Sequence, residues 1–209
     1  MAASETEVTT VATQPAESGA DLTRSRLIDA ARKAFGEKGF HATTTRDIAS
    51  AAGLSPAAVY VHHRTKEDLL YAISRAGHEE ILADMRAAIA GAADTPGKLE
   101  AVIYAMVLRH TREYATARVV NYELDGLSAQ HREDIEKLRA QIQGIVRRLL
   151  RAGTAEGSFT VDDVRITSNA IVAMAIDAAR WYRPATDPAP ERIASHHARM
   201  ALRMVSAAE

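Results

Sequence analysis

The feature that most constrains this chain is a turn at Gly53 set between two short helical segments. Thr44 can cap a first helix through Arg46, Asp47, Ile48, Ala49, Ser50, Ala51 and Ala52. Gly53-Leu54-Ser55 then makes the turn, with Gly53 supplying the positive φ that ends the helix. Ser55 can cap a second helix over Pro56 to His62, and proline at its first position loses no intrahelical bond. Ala49 is small where two helices must approach closely, and Ile48, Leu54 and Val59 are apolar where a three-helix core needs them. A helix-turn-helix unit of this kind presents its second helix to the DNA major groove.

Charge supports that reading once it is localised. The chain of 209 residues carries a net charge of −1. Between Leu22 and Lys66 there are eight basic and three acidic residues, a net +5, which leaves −6 for the rest. A basic segment that coincides with the motif is the electrostatic footprint of phosphate contact. There is no cysteine, so disulfides, thiolate metal sites and a cysteine nucleophile are excluded. No stretch reaches the roughly 18–20 apolar residues of a membrane helix, and no secretory signal is visible. A cytoplasmic protein without membrane contact is the expectation.

Periodicity predicts an all-α chain of nine helices in two domains. Residues 1–21, rich in Ser, Thr, Ala and Glu, read as a disordered tail. Residues 22–66 form a three-helix domain and residues 67–209 a larger helical one. The first helix is expected from about Leu22 to Lys38, with Leu27, Ile28, Ala31 and Phe35 on one face. A long fourth helix starts at Thr65-Lys66 and ends near Gly91. Helices follow over about Thr95 to Glu113, Ala115 to Leu124 and Ser128 to Ala152. Gly153 to Ser158 reads as a turn, and Thr160-Val161-Asp162-Asp163 as a capping box for a helix to about Tyr182. Pro184, Pro188 and Pro190 mark a connector before the last helix.

The last two helices carry stripes of small and medium residues: Ile166, Ala170, Ala173, Met174 and Asp177 on one, Ile193, His197, Met200, Ala201 and Met204 on the other. Periodicity alone fits an internal core as well as an interface with a second chain. One short reading helix covers a single half-site, which favours a homodimer through these two helices.

The segment from Phe35 to Leu70 resembles the TetR family of bacterial transcriptional regulators. Gly39-Phe40, Ala42-Thr43, Ile48-Ala49, Ala52-Gly53, Ser55, Tyr60 and Lys66-Glu67 stand at that family's spacing. The resemblance implies a homodimeric repressor whose C-terminal domain binds a small molecule, and whose ligand releases a palindromic operator in double-stranded DNA. It implies phosphate contacts by Thr43, Thr44, Tyr60, His62 and Lys66, and a base-facing set of Arg46, Ser55, Pro56 and Ala57. Of these, Arg46 alone is suited to bidentate guanine reading, while Pro56, Ala57 and Ala58 offer thymine methyls apolar contact. Arg24 is a candidate for a minor groove. His63 departs from the family, which places an aromatic ring there beneath the fourth helix; a stacked imidazole that also reaches a phosphate is the expectation.

Asn121 to Ile135 and Trp181-Tyr182-Arg183-Pro184 resemble a subgroup whose members often sense acyl-coenzyme A thioesters and control lipid or steroid catabolism. Tyr104, Met106, His110, Tyr114, Tyr122, Trp181 and Tyr182 are the candidate pocket lining. Arg147, Arg148, Arg151, Arg180 and Arg183 are candidate partners of an acidic nucleotide, with a solvated face as the alternative for them. A regulator of an efflux pump that senses lipophilic compounds is the competing reading within the family.

No cofactor is implied. A helical enzyme is disfavoured because the chain has no Gly-x-Ser-x-Gly elbow, no Walker loop and no His-Glu-x-x-His helix. His62-His63 and His196-His197 are neighbours whose side chains diverge by about 100° on a helix, a poor arrangement for chelating metal. An architectural DNA protein is disfavoured by the large second domain.

Overall fold

In a computed structural model the described residues are 19–184 and 188–206, so the tail expected over 1–21 lies outside them up to residue 18. Among the described residues there are nine α-helices and no strand: α1 Gly19–Lys38, α2 Thr45–Ala51, α3 Pro56–His62, α4 Lys66–Ala90, α5 Thr95–Arg112, α6 Tyr114–Tyr122, α7 Ala129–Ala155, α8 Val164–Trp181 and α9 Pro190–Val205. A 3₁₀ turn over Leu124–Gly126 links α6 to α7.

The helix starts are set by side-chain caps. Thr44 and Asp47 form a reciprocal capping box on α2, as do Thr65 and Asp68 on α4. Ser55 caps α3, and Asp94 caps α5 with Pro96 in the first turn. Gly53 adopts φ 66°, as the turn requires. The Arg26 guanidinium reaches across from α1 to the Ala52 carbonyl at 2.8 Å and fixes the end of α2.

Three boundaries differ from the sequence expectation. α1 begins at Gly19, so residues 19–21 are helical rather than tail. α7 runs through Gly153 to Ala155, where a turn was expected. The ring of buried Phe159 lies over Gly153, so that a Cβ built there would come within 2.0 Å of it. The helix continues because its glycine is needed for packing rather than for a turn. The cap of α8 is Asp163, whose carboxylate accepts from the backbone N–H groups of Arg165 and Ile166. Thr160 instead donates its N–H to the Val205 carbonyl at 2.8 Å, tying the end of α9 to this loop.

Two apolar cores are built. The first gathers Leu27, Phe35, Ile48 and Val59 from α1–α3 with Leu69, Leu70 and Ile73 from α4. Val119 and Val120 of α6 and Ile135 of α7 belong to it as well, so the reading head is packed on the body rather than hung from it. The second core fills the body, with Met85, Leu99, Ile103, Met106, Val146, Leu150 and Ile171 at its centre. α4 and α7 each contribute to both cores and are the two long helices shared between them.

The stripes on the last two helices are split by the fold. Ile166, Ala170 and Ala173 of α8 and Met204 of α9 are exposed. Ile193 and Ala201 are buried within the chain, where α9 packs along α5, so these two face the core rather than a partner.

Candidate nucleic-acid interface and effector cavity

The exposed rim of α2 and α3 carries most of the residues expected to meet DNA. Thr44, Arg46, Ser55, Pro56, Ala57 and Tyr60 are exposed, and His62 is half-buried at the end of α3. Arg46 stands free of any hydrogen bond or ion pair with described residues, so its guanidinium fork is available. Tyr60 is held against α2 by a 3.2 Å hydrogen bond between its phenol and the Thr45 hydroxyl. Thr45 was missed in the sequence, as was Val61, which is 79% exposed on the same helix. An apolar side chain that open to water suits contact with base methyl groups or sugars. The Thr44 hydroxyl donates to the Asp47 carboxylate at 2.7 Å, and together with the Thr44 backbone N–H it holds Asp47 down at about 2.

Three expected contacts are corrected. Thr43 is 1% exposed, and its hydroxyl points inward between the carbonyls of Gly39, at 2.8 Å, and Ala34, at 3.2 Å. It braces the end of α1 and cannot face a phosphate. Lys66 spends its three ammonium donors on the carbonyls of Phe40, His41 and Thr43, at 2.8, 3.3 and 2.9 Å, with the Phe40 ring 4.4 Å away. It straps the α1–α2 loop to the start of α4. His63 is buried, with its Nε2 unpartnered, and cannot reach the DNA surface. Burial, then the nearby Arg24 charge, lowers its pKa and favours the neutral ring.

Lys66→Met is therefore expected to lower folding stability by about 2 kcal/mol, because hydrogen bonds from a charged donor are lost. Operator affinity should fall alike at every sequence, while the salt dependence of binding stays nearly constant. A lysine on a phosphate would instead lower the logarithmic salt slope by about 0.9 without loss of stability. Thermal unfolding with titrations at several salt concentrations separates the two roles.

The body holds a partly open cavity of about 90 Å³. Gly77, His78 and Ile81 of α4, Met106 and His110 of α5, Val120 and Asn121 of α6, Arg139, Ile142 and Gln143 of α7, and Val172 and Ile176 of α8 line it. Of the residues expected to bind an effector, Met106 and His110 are here. His110 is 4% exposed; its Nδ1 bonds the Met106 carbonyl at 2.7 Å, and its Nε2 accepts from the Asn121 amide at 3.3 Å. That pairing makes the neutral ring with the proton on Nδ1. His78 is bonded in the same way to the Ser74 carbonyl, and burial brings its pKa down to about 4.

The other expected residues lie elsewhere. Tyr104 lines a separate open groove with Asp84, Arg109 and Arg112. Tyr122 is half-exposed, bonded to Asp177 at 3.4 Å, and feels the charges of both Arg139 and Arg180. Trp181 is 47% exposed and stacks on His197 with ring centroids 6.2 Å apart. Arg180 and Arg183 are exposed at the end of α8, and half-buried Arg147 sits on α7 away from the cavity. Tyr114 and Tyr182 meet edge-on at 5.9 Å and serve packing. Arg139 and Gln143 were missed because a polar residue on an amphipathic helix reads as solvent-facing unless the neighbouring helices are known.

Head and cavity are joined by a polar contact at the start of α4. Glu67 accepts from the Ser128 backbone N–H at 2.9 Å and pairs with His131 Nδ1 at 2.8 Å. The His131 ring lies flat on Tyr71 at 3.8 Å, and the Tyr71 phenol donates to Asp134. The first turns of α4 and α7 are thus bonded together, one residue beyond Lys66 and about two turns of helix before Arg139.

Comparison with known proteins gives one answer along the chain. Residues 27–73 match the family model of bacterial regulatory proteins of the tetR family, and residues 92–205 match a tetracyclin repressor-like C-terminal domain. The HTH-type transcriptional repressor KstR2 of Rhodococcus jostii is 29% identical over 182 residues, which cover 86% of this chain and 89% of that protein. The crystal structure of a regulatory protein in the tetR family from Rhodococcus RHA1 is 39% identical, with a TM-score of 0.85 over 90% of this chain and 98% of that one. The structure of AibR in complex with isovaleryl coenzyme A and operator DNA shares the fold, with 20% identity and a TM-score of 0.79 over 85% of this chain and 97% of that one.

Proposed function

The chain belongs to the TetR family of bacterial regulatory proteins, and from that premise we propose that it is a homodimeric repressor released from its operator by an acyl-CoA thioester. The observation that carries the reading is the run of α4 from the basic reading head to a partly open, mostly apolar cavity in the body. Arg46 reads guanine, Pro56, Ala57 and Val61 meet thymine methyls, and Thr44, Tyr60 and His62 hold phosphates. Ile166, Ala170, Ala173 and Met204 supply the exposed apolar face that a second copy covers, which places two reading heads on a palindrome. The protein works by binding rather than by catalysis, in the cytoplasm where its operator lies. No helix among the described residues is long and apolar enough to cross a membrane.

The thioester is supported by the resemblance of residues 121–135 and 181–184 to a subgroup that senses such esters; AibR, a protein of the same fold, binds isovaleryl coenzyme A. The cavity is far smaller than a whole thioester, so it takes the acyl end, and the nucleotide stays outside. An acyl group that pushes on α7 moves its first turn, and the Glu67–His131 contact passes that shift to the base of α4. Release requires the ligand to prefer the non-binding arrangement by a few kcal/mol.

Two measurements test this. Footprinting should show a palindromic protected site that acyl-CoA esters abolish; uniform coating of DNA, or protection indifferent to every thioester, refutes the reading. Arg46→Ala should relax the choice at one base pair per half-site, with a loss of roughly 1–3 kcal/mol there. Unchanged specificity would remove Arg46 from the base-reading set.

A further inference from the structure

We infer that the effector group entering the cavity ends in an anionic oxygen, a carboxylate, which pairs with Arg139. The inference rests on the effector reading above and specifies the chemistry of the buried end. The cavity walls are largely apolar, yet five polar side chains reach them, and four are already engaged. His78 bonds the Ser74 carbonyl. His110 bonds the Met106 carbonyl and Asn121, and Asn121 in turn donates to the Ala117 carbonyl at 2.8 Å. Gln143 donates to Ser168 and Asn169.

Arg139 is the exception. Its Nη1 is shielded from solvent without a hydrogen-bond partner. No carboxylate lines the cavity, and the acid that acts on Arg139 electrostatically, Glu136, sits one turn earlier on the same helix without forming an ion pair. A guanidinium keeps its charge at any physiological pH, so it cannot escape the cost of burial by losing a proton. Both imidazoles beside it are held towards their neutral forms by burial, with the Arg139 charge lowering His78 further, and so neither supplies a counter-charge. The wall therefore has one unpaired cation and no anion. A planar carboxylate matches the guanidinium fork with two parallel hydrogen bonds, and a methyl-ended alkyl chain leaves it unpaired. Sites built around a buried polar group reject the analogue that lacks its partner far more strongly than apolar pockets tell one methylene from the next.

Calorimetry of the full-length protein with matched thioesters tests this: succinyl-CoA against butyryl-CoA, and glutaryl-CoA against pentanoyl-CoA, with the free dicarboxylates alongside. The carboxyl-ended ester of each pair should bind at least tenfold more tightly. Arg139→Met should remove that preference, and Arg139→Lys should keep part of it. An alkyl ester that binds as well as its carboxyl-ended partner overturns the inference, as does a preference that survives Arg139→Met. Should no thioester bind while a free dicarboxylate does so through Arg139, the thioester reading falls and this one stands. Should neither class bind, both fall.

Discussion

Gly153→Ala is expected to destabilise the protein by about 2–3 kcal/mol, although glycine to alanine inside a helix normally stabilises by about 1 kcal/mol. Gly153 lies two residues before the end of α7, and its carbonyl accepts from the Phe159 backbone N–H at 3.0 Å. The chain thus folds back sharply, and the Phe159 ring rests on the glycine: a Cβ there would stand 2.0, 2.5 and 2.6 Å from three ring carbons. The ring is 6% exposed and enclosed by the body core, so it has nowhere to retreat without opening a gap. The midpoint of urea unfolding should fall accordingly, with an unchanged slope. The control is Phe159→Ala, itself expected to cost about 3–5 kcal/mol. In that background the methyl group has room, and Gly153→Ala should now stabilise by about 1 kcal/mol. The change of sign is the diagnostic, since a glycine needed for backbone conformation would be harmed by alanine in both backgrounds.

The same position shows what the sequence could and could not tell. Glycine followed by Gly157 and Ser158 reads locally as a turn, and nothing within ten residues reveals that Phe159 comes back to lie on it. Local chemistry read well where the cause is local. Thr44, Ser55 and Thr65 cap the helices expected of them, and Gly53 takes its positive φ, because each makes its bond within three residues. It failed where a side chain's direction depends on a distant element. Thr43 and Thr44 are indistinguishable as residues, yet one hydroxyl turns into the end of α1 and the other outwards. Lys66 looks like a free cation beside a helix N-terminus until the loop over residues 40–43 is seen to arch over it. In the cavity the aromatic stripe drew attention to Trp181 and Tyr104, which lie elsewhere. His110 does line the cavity, where a histidine among Met106, Val107 and Ile103 must be bonded internally or functional. Arg139 could not have been singled out, since the cavity that its half-buried side chain lines is made jointly by five helices.

Folding stability should fall by about 3 kcal/mol as the pH drops from 7 to 4, with His78 as the principal cause. His78 is 3% exposed on α4, and burial, reinforced by the charges of Arg139 and His110, brings its pKa down to about 4 against the hydrogen bond to Ser74. In the unfolded chain the same imidazole titrates near 6.5. Between those values the unfolded state binds the proton and the native state does not, so protonation draws the equilibrium towards unfolding. The stabilisation is complete above 6.5, is lost progressively below it and is gone at about 4. His110 and His63 are shifted in the same direction and steepen the fall. The capping and ion-paired carboxylates act in a lower window. Asp47, held at about 2, contributes stability that is lost only as the pH falls below 3.8, and Asp134, Glu156 and Glu191 are likewise lowered from their ordinary values. The two classes are therefore separable by pH alone. Urea unfolding of the wild type and of His78→Gln, which keeps a donor for the Ser74 carbonyl, should give curves that converge by about 3 kcal/mol between pH 7 and 4 and run parallel below. Curves that stay parallel throughout would mean that the ring is reached by water in the native state, and the cavity would then be open to solvent at the His78 wall.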